Sequence, residues 1–169
     1  MNDLGRPQSP RRAGLIEDFA KSEFFDHTFQ EGMTLVEETA AYLDGAGRRD
    51  SKLLSRSAAL AYAAESMRLT TRLMQVASWL LVQRAVRQGE MAAELACDHS
   101  YRLGGDAPAD EMRREGLPHP LTQLLERSAR LYERLRHLDR RMYLELEDGD
   151  EPPHPVRAQM DRLRGAFGR

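Results

Sequence analysis

Cys97 and His99 stand two residues apart beside Glu94 and Asp98, the nearest approach to a reactive cluster in this chain. A thiolate and an imidazole bind zinc, or act as nucleophile and base, when their side chains converge. On a helix, a spacing of two turns them to different sides. The reading is therefore a partly buried thiol beside a solvated acidic surface. Of the other histidines, His27, His119, His137 and His154, none sits in a helical Glu-x-x-His pair, so the di-iron bundle signature is missing. There is no H-E-x-x-H and no G-x-S-x-G. Gly104 and Gly105 follow no strand and are unlike a phosphate loop. The chain reads as a protein that is not an enzyme, with no catalytic residue, metal or cofactor to assign.

Without a catalytic cluster, the elements themselves are the subject. The chain has 169 residues, 31% of them charged, and a net charge of -2. That balance lacks the basic face that nucleic acid requires. Aromatic residues are only 7%, and Ala, Leu, Arg and Glu are abundant, which favours helices. Cys97 is the single cysteine, so no intrachain disulfide forms and a reduced, cytoplasmic setting is expected. No segment reaches the ~18 apolar residues of a membrane span. The opening MNDLGRPQSPRR has no apolar signal core.

The pattern predicts an all-α fold: an up-down-up three-helix bundle over residues 22–146 with a long central helix that pairs with a second copy in a homodimer. Residues 1–21 read as a flexible arm. The first helix is expected from Ser22 to Asp44, with Phe29, Met33, Val36, Ala40 and Leu43 as its core seam and Gly45 and Gly47 as its stop. A capping box at Thr28 and Glu31 competes with a start at Ser22. The second helix is expected from Asp50 or Ser51 to Gln88, about 55 Å long. The third follows Pro120, with Leu121, Leu124, Ser128, Leu131, Leu135, Leu138 and Met142 inward and arginines mostly toward water. Residues 147–169 read as an acidic, Pro-rich tether and a short amphipathic segment. In that segment Val156, Met160, Leu163 and Phe167 share a face that could dock in a groove on another protein.

The second helix carries two apolar stripes. Leu53, Leu60, Met67, Met74 and Leu81 recur every seven residues, interleaved with Ser57, Ala64, Thr71, Ser78 and Ala85. Leu69, Leu73, Val76 and Leu80 form a second stripe on a nearly opposite face. One stripe suffices for a surface helix, so two call for two partners. The sequence reading places the seven-residue seam in the core and assigns Leu69, Leu73, Val76, Trp79 and Leu80 to a dimer or partner interface. Trp79 stands between the seams, as a core filler or an interface anchor.

The run MRLTTRLMQVASWLLVQRAV (67–86) resembles the family of regulators of CtrA degradation (RcdA) of alphaproteobacteria, as do GEMAAEL (89–95) and the turn at 102–104. The resemblance covers about residues 22–146. It implies a dimeric, non-enzymatic adaptor that helps deliver cell-cycle substrates, notably the response regulator CtrA, to the ClpXP protease. It also implies work alongside a response-regulator adaptor and a cyclic-di-GMP effector protein. The residues themselves reach the fold and self-association but not proteolysis. An inert oligomerisation scaffold remains an alternative. So does a bundle binding a small ligand between helices two and three, in a space lined by Ser57, Ala64, Thr71 and Ser78.

Overall fold

The computed structural model of the chain describes residues 10–105 and 115–143. Every regular element among these residues is helical: α1 (Pro10–Ala20), α2 (Glu23–Asp44), α3 (Ala46–Lys52), α4 (Arg56–Arg87), α5 (Ala93–Ala96), a 3₁₀ turn at His99–Tyr101, and α6 (His119–Tyr143).

Local chemistry sets the boundaries. The Ser22 hydroxyl accepts the Phe25 N–H at 3.1 Å, so α2 starts there and not at Thr28. Gly45 closes α2, donating its N–H to the carbonyls of Ala41 and Tyr42. Gly47 is no stop. It lies buried inside α3, where an added Cβ would fall 2.5 Å from the Tyr62 hydroxyl and 2.8 Å from the Tyr42 carbonyl. The long helix starts later than expected, because the Ser55 hydroxyl caps it by accepting the Ala58 N–H. At 32 residues it is about 48 Å long. Gly89, at φ 73°, ends it, so residues 90–102 do not continue the helix.

Two expectations are corrected. Residues 10–20 are not a flexible arm: α1 packs against α4, α5 and α6, burying Ala13, Ile16 and Ala20, while Phe19 lies 5.7 Å from Trp79 ring to ring. Burial of three apolar side chains at a 3-4 spacing offsets the cost of ordering a short helix. The long helices also do not run up-down-up. Arg72 on α4 reaches Leu125 and Ser128 of α6, and Trp79, about two turns on, reaches Asp139. Position rises along both helices together, so α6 is parallel to α4. α2 is antiparallel to both, since Asp26 meets Arg87, Glu31 meets Arg134, and Glu38 meets Arg127. The reason is the connector, which climbs back along the bundle. Ala96 accepts from the Tyr143 hydroxyl, Gly104 from Tyr132 and Gly105 from Gln75, and Gly116 lies beside Ala58.

The core lies where α2, α4 and α6 meet, closed at one end by α1. From α6 it takes Leu121, Leu124, Leu125, Ser128, Leu131, Tyr132, Leu135 and Met142, close to the expected seam. From α2 it takes Phe25, Thr28, Gly32, Leu35 and Thr39. The expected α2 seam is thereby displaced: Phe29, Met33, Val36 and Leu43 are half-buried on a flank, and Ala40 is exposed. Gly32 permits this register, because a Cβ there would lie 2.6 Å from Leu80 Cδ1.

Candidate interaction surface

α4 is turned inside out relative to an ordinary surface helix. The five residues expected at an interface are core: Leu69, Val76 and Leu80 are fully buried, and Leu73 and Trp79 nearly so. The seam expected in the core faces solvent instead, with Leu53 85%, Leu60 68%, Met67 73%, Met74 65% and Leu81 50% exposed. Ser57, Ala64, Thr71 and Ser78 are exposed with it, and so do not line a space against α6.

The charges explain the inversion. Between Ser57 and Gln83 the only charged residues of α4 are Glu65, Arg68 and Arg72, and none is on the exposed face. Arg72 is buried and donates to the Leu125 carbonyl at 3.2 Å and the Ser128 hydroxyl at 2.9 Å. Arg68 is 3.6 Å from the buried Glu65. A buried charge is tolerated when it is hydrogen-bonded or paired, and here α6 supplies the acceptors for Arg72 while Arg68 of the same helix faces Glu65. The solvent face is left with Leu, Met, Ala, Thr and Ser over six turns.

This face is nearly palindromic. About the midpoint between Thr70 and Thr71, Leu60 is matched by Leu81, Ala63 by Ser78, Ala64 by Ala77 and Met67 by Met74. A two-fold axis through that midpoint would set like residues against like in an antiparallel pair. Small residues between the Leu and Met knobs allow close approach.

Two hollows flank Met74. One, about 300 Å³, lies between α2 and α4 and is lined by Val36, Thr39, Ala40, Leu43, Leu73 and Ala77, with Asp44 at its edge. The other lies between α4 and the returning connector, with Gln75, Ser78, Val82, Tyr101 and Arg102. The connector wall is held firmly: Asp139 accepts the indole N–H of Trp79 and the backbone N–H of Leu103, each at 3.0 Å, and Arg102 lies 3.5 Å from it.

Comparison with known proteins places the chain in a family. A family profile described as a protein of unknown function, DUF1465, matches residues 16–167. A crystal structure of RcdA from Caulobacter crescentus is similar at 70% sequence identity, covering 76% of this chain and 98% of that one, with a TM-score of 0.64. The chain belongs to the RcdA family. No curated protein matches it significantly.

The family resemblance seen in residues 67–86 thus falls on the helix that carries both the core stripe and the exposed stripe. Other residues weighed in the sequence take structural places. Cys97 is buried, and burial pushes its thiol pKa up, with Arg12 opposing and Glu94 adding to the shift. That is the reverse of what an activated nucleophile needs. His99 is exposed on the 3₁₀ turn. Among the described residues, no group of three or more His, Cys, Asp or Glu side chains is placed to hold a metal ion. No helix among them is long and apolar enough to cross a membrane. Arg127 and Arg134 of α6 bind α2 carboxylates, while Arg130 and Arg140 face solvent. Val156, Met160, Leu163 and Phe167 lie outside the described residues.

Proposed function

We propose that the chain is a non-enzymatic adaptor of regulated proteolysis that works as a homodimer through the exposed face of α4. The observation that carries this is the inversion of α4, in which Glu65 and Arg72 are buried while Leu60, Met67, Met74 and Leu81 face solvent. Each such side chain gains about 1.5–3 kcal/mol on full burial, so a face that spends charges inward and apolar groups outward is made for another protein surface. Membership in the RcdA family supports the regulatory role. The wider resemblance supports ClpXP as the protease, a response regulator such as CtrA as the client, and a cyclic-di-GMP effector protein as a co-adaptor. On this reading the protein acts in the cytoplasm.

The test is capture. Immobilised full-length protein should retain ClpX and a response-regulator client from a lysate of its own cells at physiological salt. The variant Met67→Asp/Met74→Asp should run as a folded monomer on light scattering behind size exclusion. Retention of neither protease components nor response regulators would overturn the adaptor reading. A stable monomer for the unaltered chain would overturn the dimer.

A further inference from the structure

The hollow between α2 and α4 is a furrow with two helical walls, the geometry that receives the apolar edge of a third helix. Val36, Ala40 and Leu43 line one wall, and Leu73, Met74 and Ala77 the other. We propose that its occupant is the chain's own segment 156–167, docked in cis.

Three observations select that occupant. The first is shape: Val156, Met160, Leu163 and Phe167 are spaced 4-3-4, which on a helix of 12 residues makes one apolar edge about 18 Å long. The second is reach. α6 ends at Tyr143, whose hydroxyl meets Ala96 just beyond the end of α4. The Tyr143 side chain also lies beside that of Gln83, and from the level of Gln83 to that of Leu73 is ten residues of α4, about 15 Å along the axis. The tether 144–155, 12 residues long, extends to at most about 40 Å, so it spans the distance with slack. The third is charge. Asp44, in an exposed pair with Arg48 at 3.3 Å, borders the furrow and Glu37 is exposed beside Val36, while the α4 wall carries no charge. On that helix Arg157 and Arg164, seven residues apart, flank one side of the apolar edge, where they would face those carboxylates at the rim. This docking does not depend on the self-association argued above, although the two surfaces share Met74.

Disulfide trapping in the full chain tests it. Ala40→Cys on the furrow and Gln159→Cys in the segment should form an intrachain link at low micromolar protein, at least tenfold faster than Gln159→Cys paired with Gln123→Cys on the outer face of α6. Adding Leu163→Asp and Phe167→Asp should abolish that advantage. Three results would overturn the proposal: equal rates at the two positions, a rate indifferent to the aspartates, or a link between chains at twice the monomer mass, which would give the furrow to a second copy.

Discussion

Trp79 donates its indole N–H to Asp139 Oδ1 at 3.0 Å, and both side chains are buried. This bond joins α4 to α6 at the end of the bundle where α1 closes it. The same carboxylate also holds Leu103 and Arg102, so one side chain fixes two long helices and the returning connector. Removing it leaves three donors without their acceptor. Asp139→Ala should therefore cost about 3–5 kcal/mol in urea unfolding. Trp79→Phe loses one bond and some volume but leaves Asp139 two partners, and should cost less. If the two variants unfold at the same urea concentration, the carboxylate is not the hub.

The two stripes of α4 make opposite predictions. Leu73→Asp and Leu80→Asp each place a charge in the dry contact between α2, α4 and α6, where several kcal/mol of desolvation has no compensation. They should lose cooperative thermal unfolding by circular dichroism. Met67→Asp and Met74→Asp sit on the face that is exposed in the single chain and should keep a cooperative melting transition, lowered only by the loss of the partner copy. Folded Leu73→Asp protein would show that this stripe is not core.

How much of this was legible depended on where charge sat. α6 was largely legible, because Leu121 to Met142 form one stripe with arginines opposite, although Leu138 is only half-buried and Asp139 and Tyr143 are buried beside it. α4 was not, because its longest and most regular apolar seam is the exposed one. The deciding fact is that Arg72 finds the Leu125 carbonyl and Ser128, a partnership 53 and 56 residues away that no local pattern reveals. The direction of α6 was hidden for a similar reason: a long connector can either cross one end or climb the whole bundle. α1 was legible in principle, since Ala13, Ile16 and Ala20 share a face, but Pro10, Gly14 and the arginines around them masked it.

Two glycines are predicted to differ in their tolerance of a methyl group. At Gly32 the obstacle is the tip of Leu80, 2.6 Å away, which can swing at a cost of about 1–3 kcal/mol, partly offset by about 1 kcal/mol of helix propensity. At Gly47 a backbone carbonyl, that of Tyr42, stands at 2.8 Å and cannot swing. Gly47→Ala should therefore shift α3 away from α2 and break the 3.1 Å bond from the Tyr42 hydroxyl to Asp50. Thermal unfolding should rank Gly47→Ala below Gly32→Ala, and the opposite order would refute the steric argument.

Cys97 reports on α1. Burial raises its thiol pKa, so the folded state favours the neutral form. A group raised in this way contributes stability that is present below the unfolded thiol value of about 8.5 and is lost as pH rises through the folded value. Unfolding midpoints in urea should fall as pH rises above about 8.5 in the unaltered chain, and fall less in Cys97→Ala. α1 packs on α5, and Ile16 shares the core with Cys97, so loosening α1 should uncover the thiol without global unfolding. Ile16→Ala should speed the reaction of Cys97 with a chromogenic disulfide at least tenfold at pH 8, while far-ultraviolet circular dichroism stays native. A rate that rises only in step with global unfolding would mean that α1 and the rest of the bundle open as one unit.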